Sequence, residues 1–224
     1  MRSERWAWSG VGAGLCGIAL FMVAPTIADH PDSAMADNDV LVTYLTDAAP
    51  IVWATQVLSV VAALLLIVFA AGLSRRLSEQ EPMGSLLPKV ASSGVLLTAA
   101  LSLVGGGICT ELYWHLIQDP GKVDPDTTVA ALTIFNTMPW VWAGIGISAG
   151  ATAVAALRHG SLPRWIGIVS IVMAALVALT QAVPLQYLAL APGALWLVIV
   201  GIGFARRSGT PRPEHDLVSS THGS

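Results

Sequence analysis

Apolar residues along the chain occur in long runs that contain no charged side chain. Five such runs cover residues 6–28, 48–74, 90–110, 127–157 and 165–205. A helix crosses the ~30 Å hydrocarbon core of a bilayer with about 20 residues, so each of the first four runs predicts one span. The fifth run would extend for ~60 Å as a single helix, twice that thickness, and must fold back. Pro184 cannot continue a helical hydrogen-bond ladder and predicts the position of this hairpin.

The predicted fold class is all-α, a polytopic membrane helix bundle with six transmembrane helices. The spans are predicted at about 6–28, 51–73, 90–115, 129–157, 165–183 and 185–205. Residues 206–224 are rich in Ser, Pro, Gly and Thr, which is typical of a disordered tail. In the first long loop, 29–50, apolar residues at helical spacing predict a short amphipathic helix, which could serve as a lid. These residues are Leu41, Tyr44, Leu45 and Ala48.

Charge excludes some function classes and predicts the topology. Only 11% of the residues are charged, against roughly 25% in soluble domains, so the predicted surroundings are the lipid bilayer. A net charge of −3 provides no basic surface for a nucleic acid. All of the 11 basic residues except Lys122 fall on one side of the predicted spans. By the positive-inside rule, both termini are then cytoplasmic.

A cleaved signal peptide is an alternative for the first span. Basic residues, an apolar core and Ala28 before Asp29 also occur in secretory signals. The apolar run is long for such a signal, and Leu15 before Cys16 is not the small residue of a lipoprotein signal. These features favour a retained helix.

Two ionisable residues near the outer end of the third span are the predicted catalytic pair. Glu111 and His115 are four residues apart and therefore share one helix face. Ionisable groups at membrane depth are costly and usually face the bundle interior or a wet cavity. Both side chains are therefore expected to face inward.

Further polar and aromatic residues fall in the same outer layer and predict a pocket that opens outward. The predicted substrate-binding residues are Gln56, Trp53, Trp114, Asn136, Trp140, Gln181 and Tyr187. Polar groups in hydrocarbon need partners, so Glu111, Gln56, Asn136 and Gln181 are expected to share one cluster. A structural interpretation remains open, because Trp and Tyr also anchor helices at interfaces, amides also join helices, and Glu111 could simply reach the outer water.

Proline and small residues in the fourth predicted span affect its backbone. Pro139 predicts a kink whose freed backbone groups bond to neighbouring helices, and it could also widen the bundle near Asn136. Gly144, Ser148 and Thr152 form one small-residue face of the fourth span, with Gly146 and Gly150 on another. Close helix approach at these faces would close the cytoplasmic half and disfavours a continuous channel.

No metal or other cofactor is predicted. Glu111 and His115 could supply two ligands and His30 a third, but a second pair at ligand spacing is lacking in the sequence. Cys16 and Cys109 lie in apolar runs without a ligand motif.

The stretch Gly160-Ser-Leu-Pro-Arg-Trp-Ile-Gly-Ile168 carries a family resemblance. Together with the basic Leu-Ser-Arg-Arg-Leu turn at 73–77 and a final hydrophobic hairpin, it resembles uncharacterised six-span membrane proteins of actinobacteria that carry a domain of unknown function. The resemblance implies the six-span fold and the inner membrane of a bacterium, and it implies no activity.

Three functions are compatible with the predicted pocket. In the first, Glu111 is a general acid that isomerises or cyclises a lipophilic, isoprenoid-like substrate, by analogy with terpene cyclases. In the second, the protein is not an enzyme and binds a lipid or a protein partner whose identity the sequence does not give. The third function, a small-solute transporter, requires a pathway through the packed half.

Overall fold

A computed structural model describes residues 5–28, 37–118, 124–183 and 185–207 of the chain. Helices are the only regular secondary structure in this part. The α-helices are α1 (Trp6–Ala28), α2 (Asn38–Asp47), α3 (Ala49–Ser78), α4 (Leu87–Ile117), α5 (Pro125–Phe135), α6 (Ala143–Leu157), α7 (Arg164–Ala182) and α8 (Leu190–Arg207). Two 3-10 helices, Met138–Trp142 and Gln186–Ala189, precede α6 and α8. Six segments of this part are long and apolar enough to cross a membrane, which confirms the predicted fold class.

The helices differ from the predicted spans mainly through two interruptions. The predicted span 129–157 is divided between α5, a 3-10 helix and α6, and the predicted span 185–205 begins as a 3-10 helix. α3 and α4 extend beyond their predicted spans at both ends. Arg206 and Arg207 belong to α8 rather than to the predicted tail. Pro184, where the hairpin is predicted, and tail residues 208–224 lie outside the described residues.

The predicted amphipathic helix of the first loop is confirmed as α2. Asp37 caps it, because its carboxylate accepts a hydrogen bond from the backbone N–H of Asp39 at 2.9 Å. Leu41 and Leu45, one turn apart, are buried against α3, α4 and α5. α2 therefore covers the ends of other helices and does not span.

The six spanning segments form a closed ring. α3 packs against α1 and α4, α6 packs against α4 and α7, and α8 closes the ring by packing against α7 and α1. Apolar side chains cover the outside of the ring; Leu64, Val104 and Leu179 are each more than half exposed. Such a surface suits acyl chains, so the ring is in contact with the lipid bilayer.

The two ends of the ring carry opposite charge. Trp6 of α1 contacts Phe204 of α8 and Gly72 of α3, so the beginning of α1 and the ends of α3 and α8 share one face. We call this the basic face; its described basic residues are Arg5, Arg75, Arg76, Lys89, Arg158, Arg164 and Arg206. The opposite end is the acidic face; its described acidic residues are Asp37, Asp39, Asp47, Glu111, Asp124 and Asp126.

α4 and α6 approach each other closely, as the small residues of the fourth span predict. A Cβ atom on Gly144 would collide with the backbone carbonyl of Gly94, so neither position has room for a side chain. At this distance Ser148 Oγ donates a hydrogen bond to the Ala91 carbonyl at 2.7 Å. Glycine here permits backbone contact, and the hydroxyl then joins the two helices.

Aromatic side chains fill the half of the ring that lies next to the basic face. Trp6 lies between Phe69 and Phe204, with ring centroids 5.6 and 5.4 Å apart. Trp196 packs edge-on against Phe69, and its indole N–H donates to Ser170 Oγ at 2.9 Å. All four rings are buried, so this half of the ring is densely packed.

A buried carboxylate joins two loops on the basic face. The side chain of Glu81 is only 1% exposed, although it follows the end of α3 by three residues. It accepts hydrogen bonds from Ser85 Oγ at 2.9 Å, from His159 Nδ1 at 2.6 Å and from Ser161 Oγ. Burial alone would raise the pKa of Glu81, but these hydrogen bonds, with the charge of His159, hold the pKa below its ordinary value. We call these four residues the Glu81 clasp.

The close approach of α4 and α6 predicts opposite effects for two alanine substitutions in one helix. Gly144→Ala should lower stability by about 1–3 kcal/mol, because the new methyl group meets backbone. Gly150→Ala is the matched control, since a Cβ there meets no atom within 4 Å, and better helix propensity should raise stability by about 0.5–1 kcal/mol. Thermal unfolding in detergent measures both changes. Equal melting temperatures for the two variants would contradict the packing.

The Glu81 clasp predicts a stability that is lost in acid. A carboxylate whose pKa is lowered by folding stabilises the protein above its unfolded pKa, and this contribution disappears as pH falls through the folded pKa. The wild type should therefore melt at a higher temperature than Glu81→Gln at pH 7, and the difference should shrink as pH falls below the ordinary value of 4.5.

Glu79→Gln is the control for the clasp. Its carboxylate is 44% exposed and lies 4.0 Å from Arg75, and exposed pairs of this kind contribute little. Melting temperature should change little in this variant at either pH. An effect of Glu81→Gln that did not depend on pH would show that the carboxylate is not ionised in the fold.

Candidate functional site

The fourth span is broken within the ring. α5 ends at Phe135, the chain turns through Asn136 and Thr137, and Met138–Trp142 forms a 3-10 helix before α6 begins. Pro139 has no backbone N–H and its ring clashes with the preceding turn, which kinks or breaks a helix at such a position. The Val141 carbonyl accepts a hydrogen bond from Thr98 Oγ1 of α4 at 3.0 Å. The predicted kink is therefore present as a break, and the Thr98 hydroxyl joins the broken segment to α4.

A cavity of about 300 Å³ lies beside this break. Helices α1, α3 and α4 and both 3-10 helices contribute to its wall, so it lies inside the ring and toward the acidic face. The lining is mostly apolar; it consists of Leu20, Phe21, Thr55, Ser59, Ser102, Gly105, Phe135, Asn136, Met138, Pro139, Val141, Trp142, Tyr187, Leu188 and Leu190. Its volume is at the lower end of the range of small-molecule sites.

Trp142 closes the cavity toward the basic face. Its side chain is 4% exposed and lies between α1 and α8. A Cβ on Gly17 or on Gly193 would lie 2.8 Å from the indole ring, so glycine at both positions makes room for it. The packed aromatic side chains follow beyond Trp142, and the cavity is therefore closed at this end.

The polar groups of the cavity differ in their hydrogen bonding. Thr55 donates its hydroxyl to the Ile51 carbonyl at 2.9 Å, and Ser102 donates to the Thr98 carbonyl at 2.7 Å. The side chains of Ser59, Asn136 and Tyr187 have no hydrogen-bond partner among the described residues. These three side chains thus remain open to a ligand, and Asn136 and Tyr187 are the two that the sequence also indicated.

Only two of the nine predicted site residues line this cavity, namely Asn136 and Tyr187. The other seven are Glu111, His115, Gln56, Trp53, Trp114, Trp140 and Gln181. The expected cluster of Glu111 and Gln181 with Gln56 and Asn136 is not assembled around the cavity.

The outer end of α4 turns a different face inward from the one that the sequence suggested. Cys109, Leu112 and Leu116 are buried beneath α2, whereas Glu111 is exposed. Because α2 is apolar on its covering face, the apolar stripe of α4 packs beneath it and the ionisable residues turn away.

Glu111 and His115 lie on one face, as predicted, without forming a side-chain pair. His115 Nδ1 bonds to the backbone carbonyl of Glu111 at 2.7 Å. Neither residue lines the cavity, so no acid is positioned over a ligand there. No group of three or more His, Cys, Asp or Glu residues in the described part of the chain could hold a metal; His30 lies outside that part.

The predicted tryptophans lie at the surface. Trp53, Trp114 and Trp140 are 52%, 54% and 51% exposed. Exposed tryptophan near the end of a span is typical of an interface anchor, which supports the structural interpretation of Trp53 and Trp114; Trp140 is exposed at the break in the middle of the fourth span. Gln56, half-buried on α3, has its backbone carbonyl beside Gly106 of α4.

Gln181 is a half-buried residue near the end of α7. Both polar atoms of its side chain are inaccessible and have no hydrogen-bond partner among the described residues. The residue is not part of the cavity lining.

Sequence reasoning missed most of the cavity wall. Ser102, Thr55 and Ser59 carry no signal of their own, because hydroxyls in apolar helices commonly bond to their own backbone. Trp142 and Pro139 did carry a signal in the sequence. A proline close to two tryptophans in an apolar span indicates a helix break with bulky neighbours. In the sequence, Pro139 therefore marks the position of the cavity better than Glu111 does.

Comparison with known protein families, with curated proteins and with solved structures found no match to this chain.

Proposed function

We propose that this protein binds a lipophilic small molecule in the ring cavity and that it acts as a non-enzymatic lipid-binding membrane protein. The observation that carries the proposal is a mostly apolar cavity of about 300 Å³ at a helix break inside the ring. Irregular backbone is tolerated at membrane depth only where protein buries it or where it lines a cavity. A fold that keeps such a break, with an open amide beside it, is suited to hold a ligand.

Binding is favoured over passage through the bundle. Trp142 closes the cavity, and Trp6, Phe69, Phe204 and Trp196 fill the ring beyond it. A solute pathway would have to cross this packed half. Broken helices also occur in transporters, but there they meet a route to both faces.

Binding is also favoured over acid catalysis. A general acid must come within hydrogen-bond reach of the group that it protonates. Glu111 is exposed on the far side of α4 from its buried stripe, and the described lining contains no carboxylic acid or histidine. The isomerase or cyclase hypothesis therefore has no proton donor of the required strength at the cavity.

The proposed orientation follows from charge. The positive-inside rule makes the basic face cytoplasmic, which puts the cavity in the outer half of the membrane. On the resemblance of residues 160–168, that membrane is the inner membrane of a bacterium.

Filling the cavity should remove the ligand. Ser102 faces the cavity from α4, and Ser102→Phe would place a phenyl ring within it. Lipid that co-purifies with the wild type at a fixed ratio should fall by about tenfold or more, which corresponds to a loss of about 1.4 kcal/mol of binding. Organic extraction and mass spectrometry of the purified protein measure the ratio.

Ser93→Phe is the matched control, because Ser93 is exposed on the same helix and does not line the cavity. Its lipid ratio should equal that of the wild type. The same ratio in all three proteins, or a stoichiometric protein partner in place of lipid, would contradict the proposal. Thermal unfolding of each variant verifies that the fold is retained.

A further inference from the structure

We infer that the ligand is an uncharged lipid with a hydroxyl head group that bonds to Asn136 and Tyr187. The inference rests on the proposed function, since it specifies the ligand class of the same cavity. Three properties of the lining carry it: its charge, its open hydrogen-bonding groups and its volume.

The lack of charged residues in the described lining excludes an ionic head group. The described lining contains no Asp, Glu, Lys, Arg or His. A charge moved from water to an apolar site is costly unless an opposite charge pairs with it. A phosphate, a carboxylate or an ammonium group would find no counter-ion here, so the cavity selects neutral molecules.

The open hydrogen-bonding groups select a head that both donates and accepts. The Asn136 amide offers two N–H donors and one carbonyl acceptor, and the Tyr187 phenol offers one donor and an acceptor. Thr55 and Ser102 already donate to their own helices, so their oxygens can only accept. A hydroxyl can donate to one of these acceptors and accept from Asn136 at the same time.

A pure hydrocarbon would leave these groups unpaired. An unsatisfied amide away from water costs free energy that a bonded one does not. The half-buried side chain of Asn136 therefore discriminates against molecules that have the same apolar part but no head group, whereas Tyr187, which is 45% exposed, contributes less.

The volume limits the apolar part. A cavity of about 300 Å³ is at the lower end of the range of small-molecule sites. Such a cavity suits a hydroxyl with one short chain better than a lipid with two long acyl chains. Short-chain probes therefore test the head-group preference without a contribution from the tail.

The experiment uses the full chain in lipid nanodiscs and a diazirine-bearing decanol as photo-crosslinking probe. Peptide mapping should find the crosslinks on the cavity lining, and Ser102→Phe should remove them. Unlabelled 1-decanol should compete with the probe at concentrations at least about tenfold lower than those needed of decane or of decyl sulfate. Decane lacks the hydroxyl, and decyl sulfate carries a permanent charge.

Two variants test the head-group contacts. Asn136→Leu keeps a side chain of similar size without the amide, and Tyr187→Phe removes only the hydroxyl. Asn136→Leu should weaken competition by decanol about five- to tenfold and strengthen competition by decane, because the amide that decane leaves unpaired is gone. Glu111→Gln should change neither, because Glu111 does not line the cavity.

The outcomes separate this inference from the proposed function. Crosslinks that map outside the cavity lining would contradict ligand binding in the cavity altogether. Crosslinks that persist in Ser102→Phe would contradict it as well. Crosslinks on the lining that decane or decyl sulfate compete as well as decanol would keep the proposed function and overturn the hydroxyl head group. A preference for decanol that Asn136→Leu and Tyr187→Phe both leave unchanged would overturn the assignment to these two residues.

Discussion

Every backbone polar group within the hydrocarbon must find a partner in the protein, and Pro139 makes this requirement hard to meet. Without a backbone N–H, this residue ends the regular ladder of the fourth span. The chain continues as a 3-10 helix, and the Val141 carbonyl accepts a hydrogen bond from Thr98 of α4. The Thr98 hydroxyl thus joins the broken segment to a neighbouring helix.

Close helix approach supplies that neighbour. Gly94 and Gly144 bring α4 and α6 into backbone contact, and Ser148 and Thr98 bond between the two helices on either side of that contact. On one side of the break, the ring is filled by Trp142 and the aromatic side chains behind it. On the other side, the loss of a regular helix leaves space, and that space is the cavity. One proline, held in place by small residues, therefore links the packing of the ring to its candidate site.

Much of this fold could be predicted from the sequence, because membrane insertion imposes simple rules. Uncharged runs indicated the six spans, basic residues indicated their common face, and the spacing of Leu41 and Leu45 indicated α2. The site was harder to predict. Helical spacing put Glu111 and His115 on one face but did not say which way that face turns; the burial of Leu112 and Leu116 under α2 decides it. The clasp of Glu81 with His159 and Ser161 joins positions about 80 residues apart, a pairing that no local pattern encodes.

The central claim is that the break at Pro139 maintains a ligand cavity inside the ring. An experimental structure of the protein in a lipid bilayer tests it most directly. The account predicts that residues 136–142 depart from the α-helix and that elongated density occupies the cavity in contact with Asn136 and Tyr187. A continuous α-helix through Pro139, or side chains closed over an empty cavity, would contradict it.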